Sequence, residues 1–534
     1  MGWEPYIVPY GRDTASAIYP LDWAIRSALT FGGLRKGQAK ECLLYCKERV
    51  FAFGLALGEV DDLKYATGAG AINMGFPVIA DTEIPEIRPT GICTYEHIVR
   101  ELDHEKIVPY AIQVRGVKVK VQEIDIPVPY APAFEGEVVR RETMHVQMGQ
   151  KYSKAVELLT MRDLDEVEDG KIELIGPDID SVEPGAAMPL AIQVDVAGRR
   201  MQKDFEPILE RRIHPYINMA MGVSHAGQRN IVWIRVSTEA FQKGLRLAHF
   251  GTILHHQLHE EYGKIVDKAA VRIFTREPDV ESVLAEATKA YHERDARVEG
   301  MTDESVDVFY SCTLCQSFAP NHVCVISPER LGLCGAYNWL DGKASFEINP
   351  RGPNQPVKKG ECLDPVKGIF TGVNEAVRLY SHGHLEQFTI YSLMDTPMTS
   401  CGCFECIMAI LPETNGVMIV NREYPDMTPC GMKFTTLAGA VGGGQQTPGF
   451  LGIGRLYVTS RKFILAECGM KRIVWMPKML KDDVRARFEK RAADEGMPDL
   501  LDRIADESVG SSVEEIMPFL QKAQHPVLAL PPMM

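Results

Sequence analysis

The chemistry this sequence offers is concentrated in its cysteines. Eight of the thirteen fall in one window, at Cys312, Cys315, Cys324, Cys334, Cys362, Cys401, Cys403 and Cys406. The first four follow the spacing C-x2-C-x8-C-x9-C. A C-x2-C pair lets one tight turn present two thiolates to one metal centre, and two further cysteines complete four ligands. That set suits tetrahedral zinc or a [4Fe-4S] cluster. A zinc site of this kind closes with a second C-x2-C or a histidine pair. Here one histidine, His322, stands in the loop, so ligand count favours iron and sulfur, although the spacing departs from the common ferredoxin run.

Cys401-Gly402-Cys403 is more specific. Two thiolates flanking a glycine can chelate a metal together with the amide nitrogens of Gly402 and Cys403, in fused five- and six-membered rings. A square-planar N2S2 set of this kind points to Ni(II) or Cu(II) rather than zinc. Glycine suits the middle position because a Cβ would crowd a backbone drawn flat around the metal. Cys403 and Cys406 can also be read as a redox C-x-x-C pair. Cys362 and Cys406 are left over as structural thiols. Cys42, Cys46, Cys93 and Cys468 read as small buried hydrophobes.

The elements that position these thiols must come from more than one domain, because 534 residues exceed a single hydrophobic core. Composition is that of a globular protein, with 45% hydrophobic and 24% charged residues. A net charge of −14 argues against a general nucleic-acid binder. The start, Met1-Gly2-Trp3-Glu4-Pro5, lacks the basic-then-apolar order of a secretory signal, and no apolar run is long enough to cross a bilayer. A cytoplasmic setting without membrane contact is expected, and in a reducing cytosol clustered thiols bind metals rather than pair as disulfides.

Along the chain, residues 1–125 read as an α/β segment, partly Rossmann-like. They comprise a strand at Tyr6–Gly11, helices over 21–29 and 39–57, and a glycine-punctuated run at 66–71 that leads into a strand-like Val78-Ile79-Ala80. Gly68 and Gly70 suggest a dinucleotide fingerprint, but Asn73 occupies its third glycine position, so turn and close packing is the reading. Residues 114–121 alternate with period two, and a proline-rich joint at 126–132 marks a boundary.

A middle α+β domain, 126–300, carries a concentration of bases: Arg199, Arg200, Lys203, Arg211, Arg212, Arg229, Arg235, Lys243 and Arg246. Guanidinium groups suit phosphate and pyrophosphate through paired hydrogen bonds. A solvated face with compensating acids is the alternative. His255 and His259 share a helix face at i and i+4, but the glutamate of H-E-x-x-H is missing, so packing or capping is expected there. A charged helix over 279–298 leads into an α+β domain, 301–534, that holds the cysteine window.

The stretch C-T-L-C-Q-S-F with Cys324 and Cys334, followed by S-C-G-C-F-E-C, closely resembles the CO-methylating acetyl-CoA synthases of anaerobes, partners of carbon monoxide dehydrogenase. The resemblance covers nearly the whole chain. G-F-P-V-I-A-D-T-E-I-P-E-I-R-P-T-G-I-C-T-Y-E-H is similar to the end of the bacterial family's first domain, and G-Q-R-N-I-V-W-I-R-V-S to its middle domain. It implies that Cys312, Cys315, Cys324 and Cys334 hold a [4Fe-4S] cluster and that Cys315 bridges it to a proximal nickel. Cys401 and Cys403 would bridge from the other side and, with the amides of Gly402 and Cys403, bind a distal nickel. Phe318 would line the pocket for CO or methyl, and Trp233 and Arg235 would contact coenzyme A.

The resemblance further implies acetyl-CoA formation from CO, coenzyme A and a methyl group delivered by a corrinoid iron–sulfur protein. Bacterial members carry a longer N-terminal region that docks carbon monoxide dehydrogenase, and Met1 falls inside it, so that docking region is expected to be largely absent. Two alternatives stand beside this reading: an electron-transfer iron–sulfur subunit without its own chemistry, and a scaffold with a structural zinc.

Overall fold

The computed structural model describes residues 50–51, 54–56, 78–80 and 95–97, and from 124 to 533 all but 129, 131–138, 151, 318, 320, 382 and 403. The expected strand at 6–11, the helix at 21–29, the glycine run at 66–71 and the alternating segment at 114–121 lie outside the described residues. So do Cys42, Cys46, Cys93, Phe318 and Cys403.

The described N-terminal pieces form one four-stranded sheet, ordered Val50–Phe51, Gly54–Ala56, Val78–Ala80, Tyr95–His97. The first two strands pair antiparallel and the others parallel. This corrects the helix expected over 39–57, in whose C-terminal part Val50–Phe51 and Gly54–Ala56 are strands paired antiparallel. Val50 is β-branched and Phe51 aromatic, types that fit a pleated surface, and Gly54 interrupts the helical pattern.

The chain is mixed α/β, with several separate sheets, as the multidomain reading expected. It divides into two compact units: Met1–Met201 with Arg211–Ala287, and Gln202–Glu210 with Thr288–Met534. Among the described residues no helix is long and apolar enough to cross a membrane.

The first unit holds two further sheets. One is ordered Val223–Gln228, Ile231–Ser237, Met144–Gly149, Ala186–Ala187, and the other Ala155–Met161, Leu190–Ala197, Lys268–Phe274, Ile172–Ile175. The central strand Leu190–Ala197 is buried along nearly its whole length, as expected for a strand covered on both faces. Helix Ala248–Tyr262 covers this second sheet, burying Phe250, Ile253, Leu254 and Leu258. It comes so close that a Cβ on Gly251 would stand 2.5 Å from Ile172 Cγ2.

On the outer side of that helix, His255 and His259 are not packing residues. Their Nε2 atoms lie 3.0 and 2.9 Å from one oxygen, Asp169 Oδ1. Several of the clustered bases are matched by acids: Arg199 by Asp267 at 3.1 Å, Arg212 by Glu261 at 2.8 Å and Lys243 by Glu239 at 2.6 Å.

The second unit is built on a three-stranded antiparallel sheet, Cys324–Ile326, Val308–Cys312, Pro356–Lys358, and a four-stranded sheet, Phe450–Ile453, Cys406–Leu411, Gly416–Asn421, Ile473–Trp475. The first three strands of the latter pair antiparallel in order, and their cores are almost fully buried. Helices Lys478–Asp494, Leu500–Arg503 and Val513–Lys522 follow.

Candidate metal centre

The three-stranded sheet of the second unit delivers two cysteines at strand ends. Cys312 closes strand Val308–Cys312, Cys324 opens Cys324–Ile326, and the two face each other in cross-strand register. Cys315 sits on the short 3-10 turn Leu314–Ser317 that leaves Cys312, and the Ala319 amide donates to its carbonyl at 3.0 Å. Cys334 lies on a loop tightened by the Gly332 amide donating to Tyr337 O at 2.7 Å and the Gly335 amide to Gly332 O at 2.9 Å. Cys401-Gly402 runs into Phe404 and so into strand Cys406–Leu411. Cys324 and Cys401 are buried, Cys312, Cys315 and Cys334 half-buried, and Gly402 exposed. Gly402 has φ +148°, a backbone that L side chains rarely adopt.

These loops are tied to one another by hydrogen bonds that no sequence pattern discloses. Buried His322 Nδ1 lies 2.9 Å from Thr399 Oγ1, joining the Cys315 loop to the segment before Cys401. Gln316 Nε2 donates to His322 O and Tyr380 O, at 3.0 and 2.7 Å. The Glu405 amide donates to Leu333 O at 3.1 Å, linking the Cys334 loop to the residues after Cys403. Glu405 in turn accepts from the Arg455 amide at 2.8 Å, and Arg455 also pairs with Glu423 at 3.0 Å.

Sequence reasoning misses the Gly442-Gly443-Gly444 run. The Gly443 amide donates to Cys401 O at 2.9 Å and the Gly444 amide to Ser400 O at 2.8 Å. A Cβ on Gly442 would stand 3.0 Å from Cys401 O, and one on Gly444 3.2 Å from the His322 backbone nitrogen. The run therefore fills the gap between the Ser400-Cys401 segment and the Cys315 loop. Its signal is three consecutive glycines just beyond an apolar helix, Phe434–Val441.

Four of the thiols lie close enough to influence one another electrostatically. Burial first, and the neighbouring Cys312 thiol next, push the Cys324 thiol well above its ordinary value, with Cys334 and Cys401 acting in the same direction. The amide N–H of Leu333, donated to the Cys324 sulfur, opposes them. Crowded buried thiols resist ionising together unless a cation takes up the charge, which is the condition for thiolate ligation of a metal. The donor set of converging sulfurs, with an amide donor aimed at one of them, fits a soft iron–sulfur or nickel group.

The environment separates the remaining cysteines. Cys406 is fully buried in its strand, as expected of a structural thiol. Cys362 is exposed at the start of Cys362–Asp364, and Cys468, expected in the core, is exposed at φ +78° on a turn. Its neighbours Glu467 and Gly469 make that segment a tight reversal rather than an apolar helix.

In the first unit, Arg235 is buried. Its Nε donates to Gln147 Oε1 at 3.1 Å and its Nη1 to Val139 O at 3.1 Å, and the guanidinium stands 4.5 Å from the Trp233 ring centre. Trp233 is half-buried, and its indole N–H finds no acceptor among the described residues.

Two family models match the chain. That of the "CO dehydrogenase/acetyl-CoA synthase complex beta subunit" spans residues 126–280, and that of the C-terminal region of the ACS/CODH beta subunit spans 291–534. The carbon monoxide dehydrogenase/acetyl-CoA synthase subunit alpha of Moorella thermoacetica is 50% identical over 537 residues, covering 100% of this chain and 73% of the relative. This chain belongs to the carbon monoxide dehydrogenase/acetyl-CoA synthase family. Its archaeal members include the acetyl-CoA decarbonylase/synthase complex subunit beta 1 of Methanocaldococcus jannaschii, 42% identical over 99% of this chain and 68% of that one. Among solved structures, the C-terminal domain of an acetyl-coenzyme A synthase alpha subunit is 55% identical over 25% of this chain and 100% of that chain, with a TM-score of 0.24. Such relatives are named as subunits of carbon monoxide dehydrogenase/acetyl-CoA synthase and of the acetyl-CoA decarbonylase/synthase complex.

Proposed function

We propose that this chain condenses CO, a methyl group and coenzyme A into acetyl-CoA at a nickel–nickel–[4Fe-4S] centre. Cys312, Cys315, Cys324 and Cys334 would hold the iron–sulfur part, with Cys315 as the bridge to a proximal nickel. Cys401, Gly402 and Cys403 would hold the distal nickel. The observation that carries this reading is that Cys312, Cys334 and Cys401 all lie close enough to buried Cys324 to raise its thiol, with Cys312 directly opposite it in cross-strand register. When bound, such a centre supplies a soft, coordinatively open metal for CO and methyl.

The protein's own part is positional. The cross-strand register fixes the Cys312–Cys324 spacing, and the Gly443 and Gly444 amides hold the Ser400-Cys401 backbone. The left-handed conformation of Gly402 leaves the chelate's middle residue without a Cβ. Phe318, three residues after Cys315, would restrict access to the open metal position. Trp233, whose indole N–H has no acceptor among the described residues, and Arg235 would contact coenzyme A.

On this reading 1–125 is the remainder of a Rossmann-like α/β domain, 126–300 the coenzyme A region and 301–534 the cluster domain, acting in the cytoplasm. The methyl donor would be a corrinoid iron–sulfur protein, and carbon monoxide dehydrogenase a partner in the same complex.

Anaerobic metal analysis tests the centre directly. About four irons and one to two nickels per chain are expected from the ligand count, whereas iron without nickel would favour an electron-transfer subunit. Cys403→Ala should keep the iron–sulfur absorption and lose nickel and acetyl-CoA formation. Full synthesis by that variant would sink the proposal.

A further inference from the structure

We propose that Asp169, His255 and His259 form a second metal site, separate from the cysteine centre, for a divalent borderline cation of the Zn2+ or Ni2+ class. Three observations carry it. The two Nε2 atoms converge on the same Asp169 oxygen, at 3.0 and 2.9 Å, and the three potential ligand atoms all lie within 4.8 Å of one another. The imidazoles project from one helix at i and i+4, with ring centres 4.6 Å apart and planes at 64°, so the chelating pair is preset by the helix. The carboxylate oxygen is itself anchored, accepting the Ala269 amide at 3.0 Å, which fixes it opposite the histidines.

Accessibility completes the geometry. The side chains of His255, His259 and Asp169 are 30%, 29% and 44% exposed, on a shallow depression also lined by His256 and Glu260. An ion can therefore enter from solvent and keep water on its remaining positions, in the pattern of three protein ligands and an open one.

The donors set the class of cation. Two imidazole nitrogens and one carboxylate suit borderline divalent ions. A single protein oxygen is too few for Ca2+ or Mg2+, and the lack of sulfur disfavours Cu(I). A hydrogen-bonded cluster at these distances needs only small side-chain rotations to place its atoms at the roughly 2.0–2.2 Å that zinc requires. The helix face alone suggests packing or capping. The third ligand comes from 86 and 90 residues away.

The test titrates the whole 534-residue chain, with its cysteine centre already metal-loaded, with Co2+ as the probe. The native chain should bind one more equivalent than His259→Gln or Asp169→Asn. That equivalent should show visible d–d absorption without the near-ultraviolet sulfur-to-cobalt band of thiolate ligation, and any residual binding in either variant should be at least tenfold weaker. Iron and nickel contents should stay the same in all three proteins, so this result is independent of the proposed acetyl-CoA chemistry. Equal stoichiometry and affinity in native chain and variants, with only a lowered melting temperature in the variants, would mean that the three residues merely brace the helix, and would overturn the proposal.

Discussion

Gly444 contributes to the cysteine centre by lacking a side chain. At φ +80° its amide reaches Ser400 O, and an added Cβ would meet the His322 backbone nitrogen at 3.2 Å. Gly444→Ala should therefore cost about 1–3 kcal/mol from left-handed strain, before any shift of the His322 loop. The expected outcome is a lower denaturation midpoint together with less iron bound per chain. A variant with native midpoint and native iron content would remove Gly444 from any part in the site. At this scale legibility is uneven. The thiols can be read directly because donor chemistry belongs to the residue itself, wherever it folds. Gly442-Gly443-Gly444 cannot, because a glycine's meaning lies in what approaches it, here Cys401 and His322 from distant parts of the chain. Cys468 shows the converse: its type suggests burial, and a turn at φ +78° leaves it exposed.

Helix Glu277–Ala296 shows what an element adds to its residues. Near its end Arg294 is buried, donates to both carboxylate oxygens of Glu210 at 2.9 Å and lies 3.4 Å from Glu206. Both acids are also buried. Arg294→Met should destabilise the second unit by about 3–5 kcal/mol, because it removes the guanidinium that holds both oxygens of buried Glu210, whereas Glu206 keeps Lys203 at 2.9 Å. Chemical denaturation followed by circular dichroism measures this, and a loss below about 1 kcal/mol would show that water or another base reaches the acids. Elements with strong periodicity are legible in the sequence. The helix expected over 279–298 forms at 277–296. The helix expected over 39–57 is not, since Phe51 and Gly54 favour pleated pairing that periodicity alone does not reveal.

For the molecule as a whole, acid sensitivity follows from His525. Burial, the largest influence, holds its imidazole down to about 4 from an ordinary 6.5. The unfolded chain therefore takes up a proton between those values that the folded chain refuses. Stability contributed this way is complete above about pH 6.5 and is lost as pH falls towards 4, by up to about 3 kcal/mol. His525→Leu should flatten that part of a melting-temperature–pH profile, and an unchanged profile would assign the acid limb to other groups. Nothing in the local residue pattern foretells this, because the burial of a lone histidine is decided by tertiary packing.

The segment Gln202–Glu210 belongs to the second unit although the chain on either side of it belongs to the first. The two units are thus laced together by the polypeptide itself. A fragment beginning at 288 would lack Glu206 and Glu210, the counter-ions of its own Arg294, along with buried Phe205, Ile208 and Leu209. The cysteine-bearing half is consequently not a cassette that gene fusion or proteolytic trimming can lift out intact. Whatever rearranges this protein in evolution or in the laboratory must carry both stitches of the seam.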